Sequence, residues 1–415
     1  MGLRIIAWLV LCAAATGCSA PEARATGPDW PPAVQTLPSP AAAGSAQPQL
    51  TVSSRGVLLS WIEQIGDAAY LKFAERSGAG WTKPRVAASG SDWFVNWADV
   101  PSVIRLANGA LAAHWLQKSG ADTYAYDVRL SFSTDEGRTW SAAVTPHHDA
   151  TKTEHGFASL FQMPDGGLGL VWLDGREMGG DVDDAGHARG AMTVRSAVFD
   201  ERGAQRREAL VDARVCECCP TAVAVTADGP IAAFRNRSED EIRDIYVARL
   251  EEGTWSTPRA VHDDGWKIAA CPVNGPALSA RGRQVAAAWF TAASGEGRAF
   301  VAFSTDAGRT FGNPIRVDDG GSLGRVDVEM LDDGHAVASY IEFAEQRAQF
   351  RVRRIHPAGA RSAPLTIAGI SGARASGYPR IARHGEEYVF AWTQSTDSGL
   401  RVQTAVGRFT TPSER

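Results

Sequence analysis

One strand pattern recurs seven times along this chain, and that repeat constrains the fold more than any other feature. From about residue 48, a short apolar run is followed by a Gly-containing turn and then by a run that ends near an aromatic residue. These second runs read VLLSWIE, ALAAHW, GLGLVWLD, PIAAFRN, VAAAWFT, AVASYIE and YVFAWTQ. An alternating run comes next, then a tight turn and a fourth run of the type WTKPRVA, WSAAVTP, WSTPRAV or FGNPIRV. Short strands with evenly spaced turns predict β-propeller blades rather than βαβ units. The units begin near residues 48, 98, 157, 219, 271, 324 and 374, and the last lacks a fourth run. The segment Trp30-Pro-Pro-Ala-Val-Gln-Thr-Leu carries the missing pattern far upstream. A strand over residues 30–37 that completes the last blade would cover an exposed edge. The expected fold is all-β: one propeller over residues 48–410, built of four-stranded antiparallel blades, seven rather than six, and closed by an N-terminal strand.

The N-terminus reads as an address. Arg4 precedes IIAWLVLCAAA, an apolar run short for a permanent membrane span. Ala15-Thr16-Gly17-Cys18 then resembles the bacterial lipobox. That resemblance implies a signal peptide over 1–17, lipidation of Cys18 and, with Ser19 in place of Asp, the outer membrane. An ordinary secretory signal cut near Ala20 is the alternative. Residues 18–47 are rich in Ala, Pro, Gly and Ser, as a tether is. The chain is thus expected in the cell envelope, touching the membrane through its lipid, as a monomer. A net charge of −5 over 415 residues gives no reason to expect nucleic acid as a partner.

Two turns share a signature: Ser133-Thr-Asp135-Glu-Gly137-Arg-Thr139-Trp140 and Ser304-Thr-Asp306-Ala-Gly308-Arg-Thr310-Phe311. Asp and Ser side chains can bond the turn's N–H groups, and Gly supplies a positive φ. The pattern S-x-D-x-G-x-T-[WF] resembles the Asp box (BNR repeat) of sialidase-like propellers. The resemblance spans about residues 48–410 as architecture. In an antiparallel meander the 3–4 turns lie on the face opposite the 2–3 loops and the links between blades. Asp135 and Asp306 are therefore marks of fold, away from the mouth where chemistry is expected.

That mouth gathers polar residues scattered in sequence. Blade starts contribute Asp99, Glu154, His155, Arg325, Asp327, Tyr378 and Arg380. The 2–3 loops contribute Glu63, Asp174, Arg176, Arg235, Arg237, Glu241, Arg243 and Glu342. In sialidases three arginines clamp the substrate carboxylate, a Tyr–Glu pair supplies the nucleophile and an Asp is the acid/base. The resemblance implies Arg235 or Arg243 with Arg325 and Arg380 as the clamp, Tyr378 with Glu241 as the nucleophile pair, and Asp99 as the acid. His155, Asp174, Arg176, Arg237 and Asp327 would line the same site. The chain departs from the family in lacking an F/Y-R-I-P string and in having seven repeats rather than six. The string FRNRSEDEIRDI also reads as a solvated loop tied by its own ion pairs. Asp181-Val-Asp183-Asp184 offers oxygen ligands without EF-hand spacing.

Cys12 leaves with the signal, so the body of the chain holds Cys216, Cys218, Cys219 and Cys271. Cys219-Pro220 and Cys271-Pro272 occupy the same phase in successive repeats, which places them on neighbouring innermost strands. Two disulfides in one of three pairings, a soft-metal site for copper(I) or zinc, and free redox-active thiols are the alternatives. No cofactor is otherwise expected. The first functional reading is an envelope propeller that binds a glycan or other small anionic ligand at an Arg-rich mouth, with exo-sialidase-type glycoside hydrolysis as the activity implied. The alternative is a non-catalytic binding or metal-handling lipoprotein that uses its cysteines.

Overall fold

The computed structural model describes residue 30 and residues 33–78, 80–178, 190–200 and 202–408. The signal segment, Cys18 and the Asp181–Asp184 run lie outside the described residues. Seven separate antiparallel sheets form the propeller. The innermost strands, in chain order, are Ser45–Ser53, Ser102–Arg105, His155–Gln162, Ala222–Thr226, Ala277–Arg281, Ser322–Met330 and Arg380–His384. Each is followed outward by the second and third strands of its blade. The outer edge of the second blade is reduced to one bridge, Leu130 with Val144, in place of a fourth strand.

The ring closes as the incomplete last repeat requires. Ala33–Leu37 pairs antiparallel with Gly399–Arg408, in register from Ala33↔Arg408 to Leu37↔Thr404. The last blade therefore takes its outermost strand from the N-terminal side of the chain. Trp30 reaches onward to the sixth blade, where its indole N–H donates to Ala363 O at 3.0 Å.

The second strands are continuous apolar runs because both faces are covered by neighbouring blades and both edges by strands of their own blade. Leu58, Leu59, Trp61, Leu170, Val171 and Trp172 are all buried. A buried tryptophan must satisfy its N–H. Residues two apart share one face of a strand, and three second strands use this. Trp61 donates to Glu63 at 3.2 Å, Trp172 to Asp174 at 2.8 Å and Trp392 to Gln394 at 3.1 Å.

The two repeated turns dock one blade on the next. Asp135 Oδ1 accepts the Arg138 and Thr139 N–H groups at 3.0 and 2.9 Å, and Oδ2 accepts the Thr139 hydroxyl at 2.7 Å. Gly137 has φ +75°, and a Cβ there would stand 2.5 Å from Phe73 of the first blade. At Gly308 a Cβ would stand 2.1 Å from Ile231 of the fourth blade. Glycine is required in both turns by conformation and by close approach. Along the axis the innermost strands enclose a cavity of about 220 Å³, lined in part by Asp327, Glu329 and Arg380.

Candidate functional site

The three-arginine clamp that the resemblance implied is not assembled. Arg235 is buried and donates to three backbone carbonyls: Asn274 O at 2.8 Å, Arg243 O at 2.6 Å and Phe290 O at 2.7 Å. Arg325 lies over Trp97 at 4.8 Å and donates to Ala373 O at 3.0 Å and Gly377 O at 3.3 Å. These guanidiniums satisfy backbone carbonyls, all on loops except that of Phe290, and so hold the fold. Arg380 stands over the Tyr378 ring, facing the central cavity rather than either of them.

The expected Tyr378–Glu241 pair is also not formed. Tyr378 is buried and donates to Val273 O at 2.7 Å. Glu241 pairs instead with Arg237 and with Arg243, the latter at 2.8 Å. Both arginines also meet Glu217, so the loop neutralises itself. Asp327 accepts the Val328 and Ile381 N–H groups, each at 3.0 Å, and ties two innermost strands together.

Between the second and third blades lies a buried charge network. Asp174 is fully buried, takes the Trp172 indole and pairs with Arg176 at 2.7 Å. Arg176 also meets Glu208 at 2.8 Å and Asp149 at 3.3 Å. The rings of His147 and His155 stack 3.7 Å apart. His155 Nδ1 faces Asp127 and its Nε2 faces Asp149, each at 3.4 Å. Burial pulls His155 down, but Asp127, Asp174 and Asp149 outweigh it and hold the imidazole above its ordinary value. Burial, and then the His155 cation, push His147 down to about 4. The two stacked rings thus sit among Asp127, Asp149 and Asp174, and these donors also have the spacing of metal ligands.

Beside this network stands a group whose central member the repeat pattern did not mark. The Tyr126 hydroxyl lies 2.7 Å from Glu154 Oε1 and 3.1 Å from Asp99 Oδ2. Asp99 is buried, and its Oδ1 accepts the Phe157 N–H at 2.7 Å. Burial pushes Asp99 up to about 7, against the pull of that N–H. Burial also pushes half-buried Glu154 up to about 7, helped by the nearby charges of Glu217 and Cys216. The room for this meeting comes from Gly156, where a Cβ would stand 2.1 Å from Asp99 Oδ2 and 2.8 Å from the Tyr126 oxygen. Tyr126 sits at the start of a third strand, which is the 2–3 loop phase. That phase was the signal that could have found it.

The four cysteines converge with no pair joined. Cys216 and Cys219 are buried, Cys218 is half-buried and Cys271 is exposed. The Cys216–Cys219 sulfur separation is 2.7 Å and Cys216–Cys218 is 3.8 Å. Neither is the 2.03–2.05 Å of a disulfide. Cys216, Cys218 and Cys219 have sulfurs within 4.8 Å of one another, and Cys271 is not part of that group.

No protein-family model matches this chain, and no curated protein matches it. Solved structures do. A protein of unknown function from Dyadobacter fermentans is 14% identical with a TM-score of 0.49, covering 90% of this chain and 98% of its own. The polysaccharide lyase Uly1 is 9% identical with a TM-score of 0.50, covering 89% and 91%. The NanB sialidase from Streptococcus pneumoniae is 9% identical with a TM-score of 0.47, covering 90% and 94%. What this chain shares with the lyase Uly1 is the fold.

Proposed function

We propose that this is a carbohydrate-directed propeller of the cell envelope whose working groups are Glu154, Tyr126 and Asp99. The observation that carries the reading is the Tyr126 hydroxyl held between two carboxyls, 2.7 Å from Glu154 and 3.1 Å from Asp99. Tyrosine has one proton to donate. Both contacts are hydrogen bonds only if one carboxyl is protonated. Asp99 is the buried one, with Oδ1 already accepting an N–H, so its Oδ2 carries the proton. The chain then runs outward, from Asp99 to Tyr126 to Glu154. A half-buried carboxyl held near neutrality at the end of such a chain suits proton transfer to a leaving oxygen and from an attacking water.

The charge pattern narrows the substrate class. Arg237 and Arg243 are balanced by Glu217 and Glu241, while Arg235 and Arg325 are taken by carbonyls. Little positive charge is left for a sugar carboxylate, which favours an uncharged glycan over a sialoside. The same fold serves a polysaccharide lyase and a sialidase. The lipobox-like Ala15-Thr16-Gly17-Cys18 is the support for an envelope site, with Cys18 as the anchor.

The test is a panel of neutral polysaccharides and aryl glycosides, with a fluorogenic sialoside beside them. Wild type should release reducing ends from a neutral glycan and leave the sialoside intact. Glu154→Gln should lose about 10²–10⁴-fold in turnover while still binding the glycan, the usual worth of a general acid/base. A wild type inert on every glycan, or a Glu154→Gln as active as wild type, overturns the reading. Loss of membrane association in Cys18→Ser tests the anchor separately.

A further inference from the structure

We infer that Cys216, Cys218, Cys219 and Cys271 form an all-sulfur site for one soft metal ion, Cu(I). The inference stands on the thiols alone and does not depend on the carbohydrate reading.

The fold builds the site from two links that are distant in sequence. Cys216, Cys218 and Cys219 lie on the link into the fourth blade, and Cys271 on the link into the fifth. Gly275 lets these links touch, since a Cβ there would stand 2.1 Å from Pro220 O. That backbone approach brings the link that carries Cys271 beside the link that carries Cys216, Cys218 and Cys219.

The sulfur geometry fits an ion. Cys216, Cys218 and Cys219 offer sulfurs that all lie within 4.8 Å of one another. An ion about 2.3 Å from each of three sulfurs in a trigonal set keeps them about 4.0 Å apart. Cys216–Cys218 already stands at 3.8 Å. Cys216–Cys219, at 2.7 Å, would open by about 1 Å, which is a side-chain rotation.

The donor set selects the metal. It is thiol throughout, and thiolates prefer soft ions such as Cu(I). The one carboxylate in the C-x-C-C string, Glu217, is held by Arg237 and Arg243 instead. Arg243 Nη1 stands 3.5 Å from Cys216 Sγ, so a cation already balances part of the thiolate charge. Three clustered sulfurs with the fourth at the rim suit the low coordination numbers of Cu(I) better than the closed tetrahedron of structural zinc. The buried Cys216 and Cys219 form the floor, while half-buried Cys218 and exposed Cys271 leave a way in.

Binding needs no oxidant. Each thiol that becomes a ligand releases its proton to solvent, and the ion enters and leaves as Cu(I). The competing chemistry is oxidation to disulfides by an outside oxidant, with Cys216–Cys219 the pair that the sulfur separation favours.

The experiment uses the full chain, reduced, held under argon and titrated with Cu(I) against bathocuproine disulfonate. One ion per chain should bind, with a thiolate-to-copper ultraviolet band and only sulfur neighbours in X-ray absorption. Cys218→Ser and Cys271→Ser, less buried and so suited to leave the fold intact by circular dichroism, should each weaken binding. Together they should weaken it more than about 100-fold, beyond what the loss of an outer partner of a metal ligand gives. The inference is overturned if the reduced, folded protein takes no Cu(I). It is equally overturned if the double variant binds as well as wild type, if X-ray absorption shows nitrogen or oxygen ligands, or if equimolar Zn(II) displaces the copper.

Discussion

Asp99→Asn tests the proton chain at its buried end. The amide keeps the shape of the carboxyl. Its oxygen can go on accepting the Phe157 N–H, and its Nδ2 can donate to Tyr126 where protonated Oδ2 does. Asparagine therefore mimics the neutral acid at every pH. In the wild type Asp99 titrates at about 7 when folded, chiefly because of burial, against an ordinary 3.8. Below about pH 4 it is protonated in folded and unfolded chains alike, and stability is unaffected. As pH rises from there, the unfolded chain releases the proton while the folded chain keeps it, so stability falls. The fall ends once the folded carboxyl titrates as well. About three decades of pH at 1.36 kcal/mol each give a loss of about 4 kcal/mol at most. Asp99→Asn should match wild type near pH 4 and be more stable by up to about 4 kcal/mol at pH 7. Tyr126 and Glu154 face this carboxyl, and Glu217, His155 and Cys216 lie beyond Glu154. Glu154→Gln measured in parallel separates the share of that second carboxyl. Urea midpoints followed by tryptophan fluorescence between pH 4 and 8 give the answer. An Asp99→Asn that keeps the wild-type slope, or is less stable than wild type at pH 7, refutes the reasoning.

Deleting residues 19–37 should expose the edge of Gly399–Arg408 and lower the melting temperature, because five register pairs are lost at about 0.5–1.5 kcal/mol per hydrogen bond. An unchanged melting curve counts against closure by this strand. Asp174→Ala should destabilise by about 3–5 kcal/mol, since it leaves a buried indole N–H without its acceptor and takes from Arg176 the one of its three carboxylate partners that is fully buried. A change below about 1 kcal/mol in chemical denaturation would show that Asp174 is no structural acceptor. Gly156→Ala should cost about 1–3 kcal/mol through overpacking against Asp99 and Tyr126, read from the same urea curves. Its neutrality would mean that the two groups do not meet. His155, held above its ordinary value, should contribute stability that is complete below about pH 6.5 and lost as pH rises through its folded titration. An NMR titration that places His155 below 6.5 would reject that.

The architecture was legible in the sequence because propeller blades repeat, and a repeat shows its period in the positions of its tryptophans, glycines and prolines. Seven apolar second strands, a last unit short of one strand and a stray W-P-P-A-V-Q string were enough to predict the ring and its closure. The equal phase of Cys219-Pro220 and Cys271-Pro272 placed the two cysteine links side by side, where Gly275 meets Pro220. What the sequence could not determine was how each polar side chain spends its hydrogen bonds. Arg235, Arg325 and Tyr378 have the residue types of a substrate clamp and a nucleophile, yet each donates to a backbone carbonyl on a link between blades, which has no ladder partner there. Asp174 resembles a ligand in sequence but is a buried acceptor for Trp172. Tyr126 resembles a strand aromatic, but it joins Asp99, 27 residues earlier, to Glu154, 28 residues later. Local pattern and spacing determine which strand a residue occupies. Only the packing of one blade start against the next decides which donors and acceptors are consumed inside the fold and which remain for chemistry.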